Sequence, residues 1–120
     1  MIYHVVTLGD WLADSDGPYA PASLVDEGFV HCSPDEETSL AVATAFYKDA
    51  AGPLMLLQVD EHKLGATVRW EAADPTPPPG VPGGTLFPHV FGPIDRTAVE
   101  GLLEIERDQE GRATRLVPRT

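Results

Sequence analysis

The segment Glu27-Gly28-Phe29-Val30-His31-Cys32-Ser33-Pro34-Asp35-Glu36 joins a short apolar stretch to the clearest helix signal in the chain. Its first part, Gly28 to Cys32, is short and rich in β-forming residues, which predicts a strand. Ser33 has the place of a helix N-cap, Pro34 suits the first helical position, and Glu36 completes a capping box. We therefore predict that a strand runs directly into a helix that opens at Ser33.

Short apolar segments on both sides of this unit predict further strands. About six strands around one or two helices predict an α+β fold, and 120 residues suit a single domain over 1–120. Two segments rich in proline and glycine, Asp14 to Ser23 and Asp74 to Gly84, are predicted to be loops. The other predicted strands are Ile2 to Val6, Leu54 to Val59, Thr67 to Glu71, Phe87 to Pro93 as an edge strand or sharp turn, and a hairpin of Leu102 to Glu106 with Arg112 to Val117.

The charge balance argues against a polyanionic partner. The chain has 8 Lys and Arg against 19 Asp and Glu, a formal net charge of −11 at pH 7. Nucleic acids and anionic membranes are bound through clustered basic side chains, so we expect neither as a partner. A small anionic ligand in a local pocket remains compatible with this composition.

The single cysteine and the first residues predict a cytoplasmic protein. Cys32 alone allows no intrachain disulfide and no metal site of the Cys-x-x-Cys type. Strand-like residues follow Met1 at once, in place of the basic and apolar regions of a signal peptide. The longest aliphatic run, Leu54 to Leu57, is far shorter than a membrane span requires.

Three histidines are the first candidates for a functional site. His4, His31 and His89 each lie in an apolar segment, where a buried imidazole must satisfy two ring nitrogens. The structural alternative for each is a core histidine that bonds a backbone carbonyl. His62 lies in a charged stretch and is predicted to be on the surface.

Strand periodicity sorts these candidates by face. His31 shares a face with Phe29 and Ser33, whereas Cys32 points the other way and is predicted to be a small core residue. Arg69 and Glu71 share a face of the strand from Thr67 to Glu71. A solvated glutamate paired with Arg69 is the structural alternative for Glu71.

The order of several segments resembles a small bacterial family, the domain-of-unknown-function family numbered 952. The similarity spans Ile2 to about Ile105. The segments that carry it are Tyr3-His4, Asp10-Trp11, Glu27-Gly28-Phe29-Val30-His31-Cys32-Ser33, Val68-Arg69-Trp70-Glu71 and Phe87-Pro88-His89-Val90-Phe91-Gly92-Pro93.

The resemblance implies an ADP-ribosyltransferase-like fold, which is a split, mostly antiparallel β-sheet with one main helix and a cleft for NAD as substrate. By position in that fold, His4 would hold the ribose and phosphate part of NAD. His31 or Ser33 would brace the nicotinamide ribose, and Glu71 would stabilise the positive charge that develops on that sugar. His89 would line the cleft.

Arg69 departs from the pattern of arginine-modifying transferases, which carry a second glutamate at that position. It would instead pair with Glu71 or bind a diphosphate.

The leading hypothesis from the sequence is therefore an NAD-binding protein that cleaves the nicotinamide–ribose bond or transfers ADP-ribose. A non-catalytic nucleotide-binding module is a second hypothesis. A third is a metal-dependent hydrolase that uses His4, His31, His89 and Glu71 as ligands. The acceptor and the oligomeric state are left open.

Overall fold

The protein folds as an α+β structure with two antiparallel sheets. The computed structural model describes residues 1–13, 16–73 and 76–119. In those ranges the elements are β1 (Ile2–Thr7), α1 (Leu8–Leu12), α2 (Ala22–Glu27), β2 (Val30–His31), α3 (Glu36–Phe46), β3 (Leu54–Val59), β4 (Val68–Ala72), β5 (Leu86–Val90), β6 (Val99–Arg107) and β7 (Ala113–Arg119). The larger sheet has the strand order β1-β3-β6-β7, and the smaller one has the order β2-β5-β4.

Strand β3 lies at the centre of the core. Its alternate side chains Leu54 and Leu56 pack with residues of α3 on one face of the larger sheet. On the other face, Met55 and Leu57 pack in a cluster that includes Val30 of the smaller sheet. Because both faces are covered, the strand is a continuous apolar run rather than an alternating one.

A short junction ties the two sheets together. The backbone N–H of Tyr3 donates to the Ser33 carbonyl at 3.0 Å, and the N–H of Ser33 donates to the Tyr3 carbonyl at 2.7 Å. Beside this pair, the His4 Nδ1–H donates to the carbonyl of His31 at 2.7 Å. Strand β1 of the larger sheet therefore holds the chain where it leaves β2.

The predicted helix is present, but its predicted N-cap is wrong. The cap is Asp35, whose carboxylate accepts a hydrogen bond from the backbone N–H of Thr38 at 2.7 Å. Ser33 is buried two residues earlier, and its backbone groups are already bonded to Tyr3. The helix therefore starts only after the chain has left this junction.

Helix α2 was not expected, since it begins inside the segment predicted to be the first loop. It starts after Pro21 and ends at Gly28, which has a φ of 86° and donates its N–H to the Leu24 carbonyl. A left-handed residue at this position is a common helix stop, and glycine adopts it without strain. Asp14 and Ser15 of the predicted loop lie outside the described residues.

Strand β5 is the central strand of the smaller sheet, so its prediction as an edge strand or sharp turn was wrong. The Pro88 carbonyl accepts a hydrogen bond from the N–H of Cys32 at 3.1 Å. Pro88 has no N–H to return to β2, so the pairing with β2 stops there. A central proline is tolerated because its missing donor faces the end of a two-residue strand.

The remaining strand predictions and the hairpin are confirmed within one to three residues at their ends. Residues 76–84 of the second predicted loop form neither helix nor strand, whereas Asp74 and Pro75 lie outside the described residues. None of the helices in the described ranges has the length and apolar character needed to cross a membrane.

The cap of α3 can be tested by mutation. We expect Asp35→Ala to lower the free energy of unfolding by about 1 kcal/mol, because the N–H of Thr38 loses its acceptor. Urea denaturation measures the change, and Asp49→Ala, at an exposed residue beyond the helix, is the control. Equal denaturation midpoints for the two variants would contradict this assignment of the cap.

Candidate functional site

A cavity of about 530 Å³ opens beside the smaller sheet and α3. Its volume lies in the range of small-molecule sites, which is roughly 300–1,000 Å³. It brings together residues from β2, β5, α3 and the segment after β4. The lining residues are Val5, Glu27, Phe29, His31, Cys32, Ser33, Val42, Phe46, Tyr47, Ala73, Thr76, Pro78, Phe87 and His89.

His89 and Glu71 form a hydrogen-bonded pair at this cavity. His89 lies opposite Arg69 in the pairing of β4 with β5, so His89, Arg69 and Glu71 share one face of the sheet. The His89 Nδ1–H donates to Glu71 Oε1 at 2.8 Å. The carboxylate thereby orients the ring and leaves Nε2 of His89 as a hydrogen-bond acceptor.

His31 and Glu27 form a second pair. The His31 Nε2–H donates to Glu27 Oε2, and both side chains are about half exposed. Gly28 makes this contact possible, because its left-handed turn ends α2 and starts the path into β2. Glu27 and His31 are thus brought to the same side although they lie in different elements.

Phe29 lies against both imidazoles. Its ring stacks on His89 with centroids 4.2 Å apart and planes at 26°, and its centroid is 4.7 Å from that of His31. The His31 and His89 rings are themselves 5.7 Å apart, because the two residues are opposite partners in the ladder of β2 and β5. One aromatic cluster therefore links the two histidine–carboxylate pairs.

His4 is placed away from this cluster. Its side chain is buried, bonds the His31 carbonyl and lies 5.5 Å from the Tyr19 ring, and it does not line the cavity. Burial lowers the pKa of His4 to about 4, because desolvation of the charged imidazolium outweighs the hydrogen bond to His31. His4 thus matches the structural alternative of a core histidine bonded to a carbonyl.

The other predicted site residues divide between the cavity and its surroundings. Ser33 lines the cavity but is buried at the junction with β1. Arg69 lies on the same sheet face as His89 without lining the cavity, and its guanidinium is 5.1 Å from the centroid of the Phe91 ring. It is Glu71 and His89 that pair, whereas Arg69 packs on an aromatic ring.

Cys32 is a core residue, as its strand position predicted. Its side chain is buried, and burial raises the pKa of the thiol. A reactive cysteine requires the opposite shift and an exposed position. Cys32 therefore contributes packing at the edge of the cavity rather than a nucleophile.

The family match covers most of the chain. Residues 5–102 match the family described as "Protein of unknown function (DUF952)". The chain belongs to the DUF952 family. No curated protein matches it.

A solved structure of similar shape extends this comparison. The X-ray crystal structure of protein CC0527 from Caulobacter crescentus matches with a TM-score of 0.76 and 27% sequence identity, and the match covers 94% of this chain and 92% of that one. A double-mutant form of CC0527 matches with the same TM-score and coverage at 26% identity. This DUF952 chain and CC0527 are therefore similar over nearly their whole lengths.

The sequence-based list of site residues did not include Glu27. The signal was present as a glutamate four residues before His31, with a glycine between them that turns the chain. Phe46 and Tyr47 also line the cavity, although no motif in the sequence marks them as site residues. Their role depends on the placement of α3, which residue spacing does not supply.

The proposed set of metal ligands is not assembled. No group of three or more His, Cys, Asp or Glu side chains could hold a metal ion within residues 1–13, 16–73 and 76–119. His4 uses one ring nitrogen for a carbonyl, while His31 and His89 each bond a carboxylate. The described geometry therefore gives no support to a metal-dependent hydrolase.

His4 should make the folded protein sensitive to acid. Between pH 6.5 and 4 the unfolded chain binds a proton at this residue, whereas folded His4 stays neutral because its pKa is about 4. The free energy of unfolding should therefore decrease as the pH falls from 6.5 to 4, and His4 should account for roughly 3 kcal/mol of that decrease.

The variant His4→Asn removes the titrating ring and keeps a side-chain donor. We expect it to be less stable at pH 7 but to lose less stability between pH 6.5 and 4, as measured by urea denaturation at a series of pH values. The exposed His62→Asn is the control and should behave like the natural protein. The same pH dependence in all three proteins would show that His4 does not cause it.

Proposed function

We propose that the protein binds NAD or an ADP-ribose-like nucleotide in the cavity, in the manner of an ADP-ribosyltransferase-like domain. The proposed reaction cleaves the nicotinamide–ribose bond, with water or another small acceptor taking the ADP-ribose. A cytoplasmic location is part of the proposal.

The observation that carries this proposal is the His89–Glu71 pair beside an aromatic cavity. Cleavage of the bond sends its electron pair to the nicotinamide ring and leaves positive charge on the ribose. A fixed carboxylate close to that charge lowers the barrier electrostatically. The proposal gives this role to Glu71, whose hydrogen bond to His89 holds the carboxylate in one orientation.

The remaining residues have distinct roles in this proposal. Nε2 of His89 accepts a hydrogen bond from a hydroxyl of the ligand, while Arg69 lies on the same sheet face for the diphosphate. His31 and Ser33 line the cavity and brace the nicotinamide ribose. His4 acts through the backbone, because it holds the carbonyl of His31 rather than the nucleotide.

A non-catalytic binding module is the second candidate, and one observation favours it. Glu71 does not line the cavity, and its carboxylate accepts a hydrogen bond from His89, which does. A carboxylate used in this way orients an imidazole for binding and does not need to reach the sugar. The two candidates differ in turnover, not in the place of the ligand.

The proposal is tested by measuring the binding and the turnover of NAD with the purified protein. We expect saturable binding by calorimetry and release of nicotinamide by liquid chromatography. Glu71→Gln should reduce the rate of release by roughly 10²–10³-fold, because a neutral amide stabilises the developing cation poorly. Glu110→Gln, at an exposed turn residue, is the control and should leave the rate unchanged.

Three outcomes separate the candidates. Nicotinamide release that depends on Glu71 supports the transferase or glycohydrolase hypothesis. Binding of NAD or ADP-ribose without release supports the binding module. If neither nucleotide binds, both candidates are wrong.

A further inference from the structure

Two carboxylates lie in or next to the lining of the cavity. Glu27 lines it, and Glu71 is bonded to the lining residue His89. Among the described residues, neither lysine nor arginine contributes to the lining. The whole chain adds to this bias with a formal net charge of −11.

Aromatic rings make up much of the remaining surface of the cavity. Phe29, Phe46, Tyr47 and Phe87 all line it, together with the two imidazoles. Phe46 is 69% exposed although it lies on the last turn of α3, so its ring is available from the solvent side. The faces of such rings attract cations and stack on flat groups.

We infer that the cavity selects a planar aromatic group that carries positive charge, and that it rejects the same group when it carries negative charge. The carboxylates of Glu27 and Glu71 attract the cation, while the aromatic rings contact its flat faces. No lining cation offsets the repulsion of an anion in the described part of the chain.

This inference rests on the proposed function for the identity of the ring. The nicotinamide ring of oxidised NAD is planar and positively charged, whereas the reduced ring is uncharged. The selection therefore predicts that the oxidised form binds more tightly than the reduced form. In the proposed binding mode the diphosphate of the same ligand extends towards Arg69, on the sheet face of His89.

Three small probes separate charge from shape. They are 1-methylnicotinamide, which is a cation, nicotinamide, which is neutral, and nicotinate, which is an anion, and all three contain the same ring. Titration of each into the full chain, followed by ¹H–¹⁵N NMR, gives its affinity and its position. We expect the cation to bind about tenfold more tightly than the anion, with the neutral ring between them.

Matched variants assign this preference to the two carboxylates. Glu27→Gln and Glu71→Gln keep the shape of the side chain and remove its charge, so each should reduce the ratio of cation to anion affinity. Glu110→Gln changes the net charge equally at an exposed turn residue that does not line the cavity, and should leave the ratio unchanged. Phe46→Ala, at an exposed residue, should weaken all three probes together.

The inference is overturned if nicotinate binds as tightly as 1-methylnicotinamide, if none of the probes binds, or if the ratio survives in Glu27→Gln and Glu71→Gln. A separate titration with NAD distinguishes failure of the proposed function. Probes that bind in the expected order while NAD neither binds nor reacts would support the charge selection and refute the nucleotide function. Turnover of NAD together with equal binding of the three probes would support the nucleotide function and refute the charge selection.

Discussion

The hydrogen bonds between β1 and the end of β2 are the constraint on which the site depends. Tyr3 and Ser33 exchange two backbone hydrogen bonds, and His4 bonds the carbonyl of His31 in the same place. These contacts join the two sheets, which also pack through apolar side chains such as Met55 and Val30. Because the backbone of Ser33 is committed to them, α3 begins two residues later, at the cap formed by Asp35.

The same junction sets the position of the two cavity histidines. With β2 held against β1 on one side, its two residues pair with β5 on the other, and His31 comes opposite His89. Val30 and Val90, which are the chain neighbours of these histidines, face the core, so the histidines occupy the opposite face with Phe29. A buried neutral imidazole at position 4 thus supports, through one carbonyl, two imidazoles that are accessible to a ligand.

Residue patterns predicted much of this arrangement. The alternation of apolar residues correctly placed Cys32 in the core, His31 beside Phe29, and Arg69 on the face of Glu71. Predictions from local sequence signals were wrong where contacts with distant elements determine the role of the same residues. Ser33 has the sequence of an N-cap, but its backbone is bonded to β1, and Phe87 to Pro93 has the prolines of an edge although β5 is central.

The sequence by itself determined the α+β class, most strand positions, the face on which each candidate side chain lies, and the family. These properties depend on the period of a strand or helix and on local turn chemistry, both of which are contained in neighbouring residues. Only the tertiary structure decided that Glu71 pairs with His89, that Glu27 pairs with His31, and that His4 lies behind the cavity rather than in it. Those contacts depend on the register between strands and on the packing of separate elements, so no short segment of the chain contains the information for them.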